Sequence, residues 1–225
     1  QDETAVTLEV HPNLFLNQAE INAIRARLAG DEDPWRSAFQ QLIVQADAAL
    51  LIEPPNVIGG ATPYDPSEEH LYFSCSAGVA DTNPRCAGRY DYIQAIEVSH
   101  SVRDLGLAYV LTDDTRYAEK AVELIRVWSL DPETYMEPKM RGSQSIIELS
   151  ITMPGYLYGI DLIWNYSGWD EAEKAGVRQW ASDLGWSASE TLSEVWDTQG
   201  KDANFENWKN VLMAAAGAVG EDPEL

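Results

Sequence analysis

The chain has 225 residues and a formal net charge of −22, from 37 acidic and 15 basic side chains. So acidic a balance disfavours a nucleic-acid or anionic-membrane binder, each of which needs a basic surface, and it fits an extracellular or saline setting. Hydrophobic residues make up 45% and charged residues 23%, an ordinary globular composition with enough chain for one domain and a large core. No run of about 18 apolar residues is present to predict a membrane span.

The chain opens Gln1-Asp2-Glu3, with neither Met nor a basic-then-apolar leader. That reads as a mature secreted or periplasmic chain whose signal peptide has been removed. Asn17 can cap a first helix with Glu20 three residues on, Ile21, Ile24 and Leu28 follow at helical spacing, and Gly30 ends it. Asp33 is placed to cap a second helix with Pro34 in its first position and Trp35, Phe39, Leu42, Ile43 and Leu50 on its apolar face. Residues 52–89 are broken by repeated Pro and Gly, a loop long enough to be functional or disordered. Both cysteines lie in it: Cys75 and Cys86 read as a disulfide closing part of the loop, two unpaired thiols being the alternative. Their spacing matches no zinc pattern, and no metal site is expected.

Helices resume at Tyr90. Spans 90–111 and 115–129 flank the turn Thr112-Asp113-Asp114, and a second loop covers 130–142. A strongly apolar helix follows over 143–166, which Pro154 should kink or split. One or two helices occupy 169–198, and a last one covers about 204–219, after a polar turn from Asp197 to Asp202. Gly220 to Leu225 looks like a turn and a new helix start, with Asp222 as cap, so the natural protein is expected to continue. Almost no strand signal is present. Successive antiparallel helical hairpins predict an all-α fold: an incomplete (α/α) toroid or barrel forming one catalytic domain over 1–225.

No phosphate-binding loop, dinucleotide fingerprint or nucleophile elbow is present. Eight Trp and ten Tyr stand out instead. Aromatic faces stack on sugar rings and their polar edges bond hydroxyls, although Trp at helical spacing more often serves packing. His100 lies at helical spacing from Ile93, Ile96 and Arg103, compatible with a core, a surface or a cleft. Tyr90, Tyr92, Tyr156 and Tyr158 lie near helix ends, and Arg141, Gln144 and Glu148 sit at the mouth of the apolar helix as sugar-contact candidates or simple caps. Asn204 opens the last helix, either as a cap or as an amide donor that holds an anion with help from the helix dipole. Charge is least negative in the middle of the chain, where 89–165 holds 7 basic against 12 acidic residues.

The run from His11 through Leu16, then Glu20 to Leu28, resembles the opening of alginate-lyase-like polysaccharide lyases. So does Ala108 to Ala118, followed by Trp128. The segment ending in Trp208 resembles that family's Asn-Asn-His-x-x-Trp motif, with Asn204 on the second Asn; Ala203 replaces the first and Phe205 the His. Related lyases use Asn-x-x-Asn-Trp, which Asn204-Phe205-Glu206-Asn207-Trp208 fits. The resemblance implies β-elimination on an anionic polysaccharide, alginate or another polyuronate such as glucuronan, with no redox cofactor. It implies that Asn204, and with it Asn207, stabilises the enolate charge beside the uronate carboxylate, that Tyr or His takes the C5 proton, and that Tyr returns one to O4. His100 and Tyr156 are the base and acid candidates; Trp208, Arg141, Gln144, Glu148, Tyr90, Tyr92 and Tyr158 are candidate sugar contacts. It also implies that further Arg, Tyr or His come from helices past Leu225. Two alternatives remain at this stage. One is an α/α hydrolase using paired carboxylates drawn from Glu97, Asp104, Glu148 and Asp161. The other is a helical protein that binds carbohydrate without catalysis.

Overall fold

In this computed structural model the residues described are 10–30, 32–58, 72, 89–134, 136–140, 142–199 and 203–225; the side chains of 89, 142–144, 195–199 and 203 are not described. Among them there is no strand, and the all-α expectation holds. Seven helices follow in order: α1 (Gln18–Ala29), α2 (Trp35–Ala49), α3 (Arg89–Thr112), α4 (Thr115–Ile125), α5 (Gly142–Ile163), α6 (Glu171–Gln199) and α7 (Ala203–Gly220).

Local chemistry explains most boundaries. Asn17 accepts from the backbone N–H of Ala19 and Glu20 while Glu20 reaches back to the Asn17 N–H, a complete capping box. Asp114 caps α4 by accepting from the Arg116 N–H. The turn before it places Asp113 at φ 60, a conformation that Asp tolerates better than most residues. Two expectations are corrected. Pro34 occupies the cap position of α2 and the Asp33 carboxylate accepts from Ser37, so proline sits one place earlier than expected. Pro154 does not split α5, which runs unbroken from 142 to 163; packing on both sides outweighs the lost backbone bond. The segment after α4 widens into a π-turn over Arg126–Leu130.

The helices form two layers. Ser99 Oγ donates to the Thr152 carbonyl at 2.6 Å, Gly159 lies against Val102, and Gly106 against Gly159 and Leu162, so contacts advance in the same direction and α3 and α5 run parallel. The short hairpin α5–α6 and the antiparallel contact of α6 with α7, seen at Gly185–Ala216 and Gly220–Ser182, make α7 parallel to both. Helices α3, α5 and α7 form an inner layer. On the outside, Tyr117 of α4 bonds Asp47 of α2 at 2.8 Å, and Arg126 pairs with Glu173 of α6 at 2.6 Å. By length and apolarity the Ser145–Ile163 stretch of α5 could cross a membrane, yet 78% of that window is buried between its neighbours: it is the core helix. Trp128, Trp164, Trp169 and Trp180 are buried in the same core, as the packing reading of the tryptophans requires.

Ahead of α1, residues 10–16 form an irregular strap across the C-terminal end of the inner layer. Asp161 of α5, 1% exposed, holds it by accepting from His11 Nδ1 at 2.6 Å and from the N–H groups of Asn13 at 3.0 Å and Leu14 at 2.8 Å. The His11 ring lies 4.8 Å from Trp164, which also meets the Arg178 guanidinium at 4.8 Å and the Trp169 ring at 5.4 Å; Arg178 pairs with Glu221.

Gly159 is where the inner layer is tightest. A Cβ there would stand 2.4 Å from the Val102 carbonyl oxygen, and backbone cannot yield as a flexible side chain does. Gly159→Ala should therefore cost about 3 kcal/mol of stability by overpacking, read by chemical denaturation. A stability equal to that of the wild type would contradict the α3–α5 approach.

Candidate active site

The inner face of the layer carries a cleft of about 460 Å³. Tyr92, His100 and Arg103 line it from α3, Thr152 and Tyr158 from α5, Trp208 from α7 and Phe15 from the strap. Ile96, Ile151 and Val211 supply apolar surface between them. Tyr92 and Arg103 are eleven positions apart on α3, so the cleft extends about 16 Å along the helix axis at 1.5 Å per residue. At one end lie Tyr92, Glu148 and the starts of the inner helices; at the other lie Arg103, Tyr158 and the strap.

Four residues singled out from the sequence meet here: His100, Tyr92, Tyr158 and Trp208. The Trp208 side is exposed to solvent rather than packed. The Tyr92 hydroxyl bonds Glu148 and stands 3.5 Å from Thr152 Oγ1; burial first, then the Glu148 carboxylate, pushes its pKa above the usual tyrosine value. Desolvation pulls the His100 pKa below 6.5, the positive charge of Arg103 pulls it further, and Asp104 offsets part of that. His100 is therefore a neutral imidazole at pH 7, able to accept a proton. The Arg103 side chain is 34% exposed, and its Nε donates to Asp104 Oδ1 at 2.8 Å. Among the described lining residues it is the one permanent cation, and none is a carboxylate.

The remaining candidates fall elsewhere. Tyr156 is a correction: it is fully buried, its hydroxyl bonds Ser129 Oγ at 2.6 Å, and its ring packs edge-on against Trp180 at 5.6 Å. Burial holds its phenol far above the ordinary pKa, so it has no route to substrate. Tyr90 sits half-buried at the start of α3, outside the lining; burial and the charges of Asp91 and Glu97 raise its pKa. Asn204 and Asn207 are exposed in the first turns of α7, at the Tyr92 end, and Phe205 packs against the core. Gln144 begins α5, with its side chain outside the description; Arg141, Cys75 and Cys86 lie outside the described residues. Of the carboxylates that a hydrolase would draw on, Asp161 is bound to the strap, Asp104 to Arg103 and Glu148 to Tyr92, while Glu97 is exposed outside the lining of the cleft. Arg103 and Phe15 were not singled out as site residues from the sequence; Arg103 left a signal in its three-residue spacing from His100, and Phe15 only its place in the run from His11 to Leu16 that carries the resemblance.

Parallel inner helices backed by outer ones, with an aromatic and polar cleft on the inner face, define a protein of the helical-toroid class. The family model for alginate lyase matches residues 79–225, and the chain belongs to that family. A crystal structure of an alginate lyase from Bacteroides ovatus has a similar fold, with a TM-score of 0.76 at 21% sequence identity. The match covers 96% of this chain and 63% of that one, so this chain spans less than two thirds of its structural relative. No curated protein sequence matches.

The electrostatic reading of the cleft is open to direct measurement. His100 should titrate below 6.5 by NMR, and Arg103→Gln, which removes the neighbouring positive charge, should move the midpoint upward. A midpoint at or above 6.5 in the wild type would contradict the placement of His100 beside Arg103.

Proposed function

We propose that this chain is part of a secreted or periplasmic polysaccharide lyase that cleaves a polyuronate, alginate or a related polymer such as glucuronan, by β-elimination. The observation that carries the reading is the pairing, one helical turn apart in one cleft, of a neutral imidazole with a guanidinium. The C5 proton of a uronate is weakly acidic, and its removal becomes feasible when the charge developing on the adjacent carboxylate is stabilised in place. Arg103 binds that carboxylate, and the backbone dipole and amide of Asn204 at the start of α7 add to the positive field at the other end of the cleft.

His100 takes the C5 proton. The C5–H electrons form the C4=C5 double bond, the C4–O4 bond breaks, and the leaving O4 receives a proton from a tyrosine hydroxyl. Tyr158 is level with the His100–Arg103 pair, because Gly155 meets Ser99 and Gly159 meets Val102. It is the acid in this reading. The raised pKa of Tyr92 suits a hydroxyl that stays protonated and bonds sugar oxygens further along. Trp208 offers its exposed face to a pyranose ring. Arg103 is the cation of the described lining and no carboxylate is among it, which supports a polyanion there despite the net charge of −22.

Purified protein incubated with alginate should generate the ultraviolet absorbance of a conjugated C4=C5 bond, and His100→Ala should lower kcat about 10²–10⁴-fold. The acid limb of kcat/KM should follow the His100 pKa, so activity falls as pH drops through a value below 6.5. Asn204, the second residue of α7, is inside the helix rather than its cap; Asn204→Asp keeps an acidic group that the first turn tolerates but puts a negative charge near a bound polyanion, so activity should fall about 10²-fold or more with the melting temperature preserved. Hydrolysis products lacking the double bond would replace this reading with that of a hydrolase.

A further inference from the structure

We infer that the strap ahead of α1 builds one wall of the cleft, with Phe15 as an aromatic platform for a uronate ring and Asp161 as the residue that positions it. The inference rests on the polyuronate reading of the cleft. Phe15 is 46% exposed although large and apolar, and it lines the same cleft as His100 and Arg103. Its ring is stacked on Tyr158, with centroids 5.1 Å apart and planes 13° from parallel. One face is thus fixed by the α5 tyrosine, and the solvent-exposed part of the ring belongs to the groove. Trp208 is the other exposed aromatic of the lining, so the cleft presents two ring surfaces contributed by segments far apart in sequence.

Nothing in the strap itself fixes Phe15. Residues 10–16 have no regular hydrogen-bond ladder, and their order comes from one buried carboxylate. Asp161 accepts three hydrogen bonds from the strap, two of them from backbone N–H groups one and two residues before Phe15. Asn165 adds a bond to the His11 carbonyl, and Leu14 packs against the core. The His11 ring is clamped on Trp164, with its Nε2 4.0 Å from Glu221 Oε1, so groups from α5, α6 and the turn after α7 all bear on the strap. A carboxylate acceptor suits this task because charge-assisted bonds to backbone N–H are short and directional. Asp161 acts on substrate only through Phe15.

The test compares ring with bulk. Phe15→Leu keeps an apolar side chain, whereas Phe15→Tyr keeps the ring. On oligoalginate of defined length, Phe15→Leu should lower kcat/KM about tenfold, mostly through KM, and Phe15→Tyr should stay near the wild type. Asp161→Asn should raise KM in the same sense, and combining it with Phe15→Leu should give less than the product of the two effects, since both act on one contact. Affinity for the same oligosaccharide, measured by isothermal titration calorimetry, supplies a second readout that does not need turnover, and the two Phe15 variants carry the test if Asp161→Asn fails to fold. Turnover by the wild type with Phe15→Leu indistinguishable from it would overturn the platform while leaving the lyase reading intact. No unsaturated product, but oligosaccharide affinity lost in Phe15→Leu and kept in Phe15→Tyr, would overturn the lyase reading and leave the platform standing. Absence of both binding and product would overturn the two together.

Discussion

The structure hinges on how closely α3 and α5 approach. At Gly159 and Gly106 the two backbones meet with no room for a side chain: an added Cβ at Gly106 would lie 2.9 Å from the Gly159 carbonyl oxygen. Side by side and parallel, the two helices fix a register in which Tyr92 faces Thr152, Ser99 bonds the Thr152 carbonyl, and Arg103 comes level with Tyr158. Cleft geometry follows from that register. A shift of one residue would rotate each α5 side chain by about 100° and take Tyr158 out of the groove.

Around this contact the polar groups divide by role. Three of those buried in the layers are used up by partners: Tyr156 by Ser129, Asp161 by the strap, Trp180 by the Met136 carbonyl. Those on the inner face keep chemistry in hand. Partial desolvation draws His100 toward its neutral form, and a cation one turn away reinforces this. In the proposed reaction the same guanidinium that disfavours imidazolium would attract a carboxylate, so that a single charge would prepare the base and orient the substrate. In the same reading the chain's net charge of −22 makes the cation in the groove the more selective for where an anionic polymer would settle.

Much of the fold was legible because its signals are local. The Asn17–Glu20 capping box, the Thr112–Asp114 turn and the apolar spacing of α3, α4 and α7 each depend on neighbours within a few residues. Pro154 misled for the opposite reason: whether a proline breaks a helix depends on the packing around it, and α5 is enclosed on both sides. The same enclosure hid the site on α5. That helix is apolar all round, so its periodicity marks no face; Tyr156 and Tyr158, about 200° apart around the axis, cannot both reach the groove, and only the tertiary structure shows that Tyr158 does. His100 was legible through its helical spacing with Ile93, Ile96 and Arg103, a stripe of α3 left at least partly open. Phe15 was not, because its position is set by a carboxylate some 150 residues away.

A crystal structure of the protein with a short oligouronate bound measures the central claim directly. The sugar carboxylate should lie within hydrogen-bonding distance of the Arg103 guanidinium, about 3 Å, with C5 facing His100 and a ring against Trp208. An oligouronate seated away from the α3–α5–α7 face, or bound with its carboxylate turned from Arg103, would contradict the assignment of this cleft as the active site.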